Sequence, residues 1–119
     1  MADPVSAEAE FRARLEALNA RFAAQLPLML EKTTQALAAC LASGATPTSE
    51  QLAALHESLH SVAGSAATFG YAMLGQQARR IEQQLRAAMQ DGSGWNGIAP
   101  QVEQYLRWAA RDPKATRYD

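Results

Sequence analysis

The sequence predicts an all-α protein: an antiparallel four-helix bundle with an additional or kinked helix at its N-terminus. Apolar residues recur at gaps of three and four along most of the 119-residue chain, the spacing that gathers side chains on one helical face. Alanine and leucine dominate a 48% apolar content, and glycine and proline are confined to a few places. No segment shows the alternation of a strand. A chain of this length is expected to form a single domain over 1–119, with a helical body from about residue 6 to 111 and a loose tail over 112–119.

The first helix is expected from Ser6 to about Leu41. Phe11, Leu15, Leu18, Phe22, Leu26, Leu30, Leu37 and Leu41 form its apolar face at steps of three, four and seven. Pro27 lacks the amide proton that would bond Ala23, which predicts a kink or break at Leu26-Pro27. Ser43-Gly44-Ala45-Thr46-Pro47 ends the segment, with Gly44 as a C-terminal cap and Pro47 barring continuation. Thr48 then opens the second helix as a capping residue, with Gln51 three positions on.

Leu52, Leu55, Leu59, Val62, Ala66 and Phe69 make the buried stripe of that second helix, which Gly70 closes. At about 100° per residue, His60 falls roughly 130° from the centre of the stripe and is expected to face water. Gly64 lies one turn further on, and with Ala63 and Ala67 beside it the surface around the imidazole is predicted to be nearly bare. Mid-helix glycine costs about 1 kcal/mol relative to alanine, so its presence there invites a functional reading.

Tyr71 to about Gln90 reads as the third helix. Leu74, Ala78, Ile81, Leu85 and Met89 form its core stripe, while Gln76, Gln77, Arg79, Arg80, Gln83, Gln84 and Arg86 cover the remainder. Such a face is ordinarily solvated; the alternative is that some of these residues rim a docking patch for an acidic surface. Asp91 to Gly97 is expected to be a loop. It spells G-x-G-x-x-G but follows a helix and lies in no βαβ unit, so the nucleotide-binding mechanics are missing. Trp95 is expected to cover the end of the core. The last helix, Ile98 to Ala110, turns Ile98, Val102, Tyr105, Leu106 and Ala109 inward, and Asp112-Pro113 stops it.

Bulk properties exclude several functions. A formal charge of −1 without a lysine-rich run argues against nucleic acid or an anionic membrane as partner. No apolar stretch is long enough to span a bilayer, and Met1-Ala2-Asp3-Pro4 does not resemble a signal peptide, so a cytoplasmic location is expected. The single Cys40 fits a reducing compartment and a buried, unreactive thiol.

Three chemistries compete for the histidines. The plainest makes His60 an ordinary surface residue. His56-Glu57-Ser58-Leu59-His60 also matches the H-E-x-x-H zinc-protease string, with Glu82 available as a third ligand. Against zinc hydrolysis, these are the only two histidines, no strand framework is present to hold an extended substrate, and so short a string arises readily by chance. The third reading makes His60 a phosphoryl carrier, a nucleophilic nitrogen in bare surroundings with no hydrolytic groups beside it.

The run His60-Ser61-Val62-Ala63-Gly64-Ser65-Ala66-Ala67-Thr68-Phe69-Gly70, continued by Leu74, Ala78, Ile81 and Glu82, resembles the signature of the histidine-containing phosphotransfer (HPt) domains of bacterial phosphorelays. That signature has histidine, glycine four residues later, a small-residue run, glycine at plus ten, and an apolar-acidic pair in the next helix. The likeness is specific across His60 to Glu82 and extends in helical layout over about residues 10 to 110. The family usually has lysine three residues after the histidine, near the phosphoryl group. Here that position is Ala63, which removes a cation without removing the nucleophile.

The resemblance implies an HPt-like bundle in which His60, through Nε2, accepts a phosphoryl group from a receiver-domain phospho-aspartate and passes it to another receiver. The implied partners are response-regulator receiver domains and a hybrid histidine kinase. The protein would be a phosphocarrier rather than a true enzyme, with no cofactor or metal of its own. No cluster of cations is evident beside His60, so the partner receiver is expected to supply Mg²⁺ and most of the catalytic groups. Gly64 is expected to admit the partner's active-site rim, with Ala63 and Ala67 extending the gap; His56 and Glu57 complete the binding set. His56 is also the alternative acceptor, or a residue bordering the core with a local hydrogen bond. A competing function is a scaffold that binds a receiver or kinase without carrying phosphate.

Overall fold

The computed structural model describes residues 4–119, so the signal-peptide expectation at Met1 to Asp3 lies outside the described residues. Four helices follow one another: α1 (Pro4–Ala42), α2 (Ser49–Ala66), α3 (Ala72–Asp91) and α4 (Trp95–Arg111), with a 3₁₀ turn at Ala67–Phe69 between α2 and α3. Among the described residues there is no strand, and no helix is long and apolar enough to cross a membrane. The bundle is all-α, as expected.

Local chemistry sets the helix ends. Thr48 Oγ1 accepts the Gln51 amide at 3.1 Å while Gln51 Oε1 accepts the Thr48 amide at 2.9 Å, a reciprocal box that satisfies two otherwise unpaired donors. The chain reverses after α2 at Gly70, whose φ of 88° suits glycine and few other residues.

Cross-helix contacts fix an antiparallel register. Thr33 on α1 hydrogen-bonds Ser58 on α2, and Cys40 Sγ approaches the Gln51 carbonyl at 3.5 Å. Between α2 and α3, Gly75 faces Ala66 and Ala67. A Cβ on Gly75 would sit 3.3 Å from Ala66 Cβ and 3.4 Å from the Ala67 nitrogen, so the missing side chain sets how closely these helices approach. Tyr105 on α4 donates its buried hydroxyl to the Leu74 carbonyl at 2.9 Å. Leu55, Leu59, Val62, Leu74, Ile81, Leu85 and Val102 fill the centre, and Cys40 is fully enclosed; burial pushes its thiol pKa up.

The structure corrects several expectations. Of the kink or break expected at Pro27, the break does not occur, and α1 runs through it as one helix. Pro27 and Ala23 are both exposed, so the carbonyl that loses its helical partner can be met by water. The α1 stripe is covered only from Phe22 onward: Phe11, Leu15 and Leu18 are exposed, as is Leu41. Met89 also faces solvent, and Ala88 takes its place in the core.

The expected loop over 91–97 shrinks to three glycine-rich residues. Gly92 and Gly94 both adopt positive φ, and α4 starts at Trp95, whose burial outweighs the poor helix propensity of Gly97. Residues 112–119 are not a loose tail. Trp108 Nε1 donates to the Arg117 carbonyl at 2.8 Å, Tyr118 packs edge-on against Trp108, and Lys114 Nζ lies 5.3 Å from the Tyr71 ring centre. Trp108, buried on α4, was missing from the expected stripe and is the anchor on which this segment folds back.

Candidate functional site

His60 occupies the fourth turn of α2, on the face turned from the Leu55-Leu59-Val62 stripe, and its side chain is 65% exposed. Its ring is held from one side. Nδ1 lies 2.7 Å from Oε1 of Glu82, which reaches across from α3 and is itself buried. The same carboxylate oxygen lies 3.4 Å from Nε2 of half-buried His56 and 3.3 Å from Nη2 of Arg86. The two imidazoles are near-parallel, with centres 6.1 Å apart. Glu82 Oε1 thus hydrogen-bonds His60 Nδ1 and Arg86 Nη2, while His56 Nε2 lies nearby without a hydrogen-bond partner, and the contact at Nδ1 orients the His60 ring.

A concavity of about 210 Å³ opens beside the ring, lined by His60, Ala63, Gly64, Arg79, Glu82, Gln83 and Arg86. Cations therefore do stand beside His60, contrary to expectation. They are absent from its own helix and come from α3, where Arg79 and Arg86, seven apart, flank Glu82 on one helical face. Arg80 belongs elsewhere: it bonds Gln77 at 2.9 Å and Gln101 of α4 at 2.7 Å.

The small residues divide between two environments. Gly64 is exposed, and a Cβ there would meet nothing within 4 Å, so the surface next to the imidazole is open as expected. Ala67 is exposed at the start of the 3₁₀ turn. Ala63 is not part of an outer flat patch. It is buried between α2 and α3 and reaches the surface only as the floor of the concavity. Glu57 is exposed but lines a different depression, with Lys32 and Ser61, between α1 and α2. His56 borders the core as expected; its neighbour is Glu82 on another helix rather than a group on its own.

Among the described residues, no group of three His, Cys, Asp or Glu side chains is arranged to hold a metal ion. In the H-E-x-x-H string, His60 turns Nδ1 to Glu82 at hydrogen-bond distance, and Glu57 points to the other depression. The arrangement is suited to presenting one nucleophilic nitrogen to an anionic group: the ring is anchored through Nδ1, and guanidinium groups wait in the adjoining concavity.

Compared with known families, residues 8–109 match the model of the Hpt domain. No curated protein and no solved structure gives a significant match to the chain.

Proposed function

The chain belongs to the Hpt domain family, the histidine phosphotransfer modules of phosphorelays, and from that premise we propose that His60 takes a phosphoryl group from the phospho-aspartate of one receiver domain and hands it to the aspartate of another. The observation that supports this most is the 2.7 Å bond between His60 Nδ1 and Glu82 Oε1. A carboxylate only accepts, so the neutral ring carries its proton on Nδ1 and its lone pair on Nε2.

In the proposed step the Nε2 lone pair attacks phosphorus in line. The N–P bond forms as the bond from phosphorus to the aspartyl oxygen breaks, and the carboxylate leaves with the bonding pair. No proton has to move. The ring becomes a phospho-imidazolium that keeps its Nδ1–H, and the charge of Glu82 lies against it. The onward step runs the same way, with the second receiver's carboxylate as nucleophile and Nε2 as leaving group.

Arg79 and Arg86 line the same concavity as His60, which makes two guanidinium groups available to phosphoryl oxygens. The nearby carboxylate oxygen is already bonded by His60 Nδ1 and Arg86 Nη2, and these nitrogen groups are unsuited to Mg²⁺, which takes oxygen ligands. In this reading the Mg²⁺ is the receiver's, and no step uses a metal on this chain. Gly64 leaves the approach open, and the partners are receiver domains and the hybrid kinase that feeds them, working in the cytoplasm.

The test is intact-mass and phosphate analysis of wild type and His60→Gln after incubation with a panel of phosphorylated receivers and Mg²⁺. An acid-labile adduct on wild type that is absent from the variant is the expected result. Binding by both forms without an adduct on either would replace the carrier reading with a scaffold.

A further inference from the structure

α1 is twice as long as its neighbours need. Its 39 residues span about 58 Å, whereas the 18 residues of α2 span about 27 Å. The helix meets its first core contacts at Phe22, which packs on Phe69 and Tyr71 at the far end of α2. From Val5 to Arg21 every residue is exposed. The apolar stripe nevertheless continues outward: Phe11 is 69%, Leu15 42% and Leu18 45% exposed, at the same three-and-four spacing that leads to buried Phe22 and Leu26. A stripe that continues past the end of its own core is a face awaiting a partner.

We propose that the projecting part of α1 pairs antiparallel with the same segment of a second copy of this chain, with Phe11 at the two-fold axis. The charges specify that occupant. Glu8 and Glu10 precede Phe11, and Arg12 and Arg14 follow it. At about 100° per residue Glu8 and Arg12 lie on one side of the stripe and Glu10 and Arg14 on the other, so an antiparallel pair centred on Phe11 brings Glu8 beside the other copy's Arg12, and Glu10 beside its Arg14. A parallel pair would set like charge against like. Shape agrees with charge: the same register lays Leu15 over the other copy's Ala7, and Ala7, Phe11 and Leu15 line a shallow groove on this face.

The overlap, residues 4 to 18 in each copy, is about 22 Å long. That lies at the low end of specific interfaces, about 1,200 Å² in total, so the dimer is reversible, with a dissociation constant roughly in the micromolar range. The Thr33–Ser58 and Cys40–Gln51 contacts put His60 level with residue 31 of α1, about 30 Å from Phe11 along the axis. Both histidines therefore stay open, and the pairing tethers two phosphoacceptors without covering either.

Sedimentation velocity of the whole chain from about 1 µM to 1 mM tests this. The expected result is a concentration-dependent dimer that Phe11→Glu abolishes while helical content and melting temperature are unchanged, because Phe11 has no core role. Glu8→Arg with Glu10→Arg should weaken the dimer at least tenfold, and adding Arg12→Glu with Arg14→Glu should restore it. A monomer at every concentration overturns the proposal. So does a dimer that survives Phe11→Glu, which would place the interface elsewhere, or a monomer whose receiver affinity falls with Phe11→Glu, which would give the face to a receiver. None of these outcomes depends on phosphoryl transfer through His60.

Discussion

Glu82 Oε1 bonds His60 Nδ1 at 2.7 Å from a neighbouring helix, and it does so from a buried position shared with His56 and Arg86. In the proposed reading, one carboxylate thereby sets which nitrogen of an exposed ring keeps its lone pair. Glu82→Ala should lower the transfer rate about 100-fold and Glu82→Gln about 10-fold, since the glutamine oxygen still accepts from Nδ1–H but carries no charge to offset the phospho-imidazolium. Nitrogen chemical shifts of His60 are the second readout: Nδ1–H should dominate in wild type and Glu82→Gln, and Nε2–H should gain in Glu82→Ala. An unchanged tautomer in Glu82→Ala would remove this role from Glu82.

Arg79 and Arg86 supply the positive charge that the α2 sequence lacks at Ala63. Arg79→Ala should slow transfer roughly tenfold and flatten its dependence on salt, because a guanidinium that meets phosphoryl oxygens is worth a few kcal/mol at most when solvent-exposed. Arg80→Ala is the internal control, since Arg80 is spent on Gln77 and Gln101. Equal effects of the two changes would mean that net charge, and not the concavity, is what the partner senses.

Gly64 separates stability from docking. A Cβ at Gly64 meets nothing within 4 Å, and alanine is the better helix former by about 1 kcal/mol, so Gly64→Ala should raise the melting temperature by about 4 °C. Gly64→Arg should melt near wild type and yet block transfer by filling the approach to His60. Undiminished transfer by Gly64→Arg would move the docking face off this side of α2.

The legible parts of this fold were those with a local cause. The Leu52-to-Val62 stripe, the Thr48–Gln51 cap and the outward azimuth of His60 all follow from spacing within one helix, and the structure has each of them. Glu82 was visible as part of a signature, but not as the anchor of Nδ1, because that contact depends on how α3 is rotated against α2. The close approach at Gly75 sets that rotation, and spacing along one helix cannot report it. Arg79 and Arg86 stood among the α3 residues that could rim a docking patch, and spacing could not choose them from the rest of that face for the same reason. Ala63 read as surface because alanine is too small to declare a side; next to Leu59 and Ala66 it belongs to the seam. At the C-terminus, Pro113 marked the end of a helix and said nothing of Trp108, whose ring gives the following residues something to pack on.

Tyr105 gives the bundle a predictable alkaline limit. Its hydroxyl is fully buried and bonded to the Leu74 carbonyl, and burial pushes its pKa far above the ordinary phenol value. A pKa raised on folding contributes stability that is complete below the unfolded value, near pH 10, and is lost as pH climbs from there toward the folded one. Stability should therefore fall above about pH 10 by about 1.4 kcal/mol per pH unit on account of this residue, because the unfolded chain ionises while the folded one does not. Tyr105→Phe should cost about 1 kcal/mol at pH 7, where only the hydrogen bond is lost, and should show a shallower decline between pH 10 and 11.5. Urea titrations of both proteins across that range check the sign. Parallel declines would mean that other groups, such as Tyr118, whose pKa burial also raises, dominate the alkaline response.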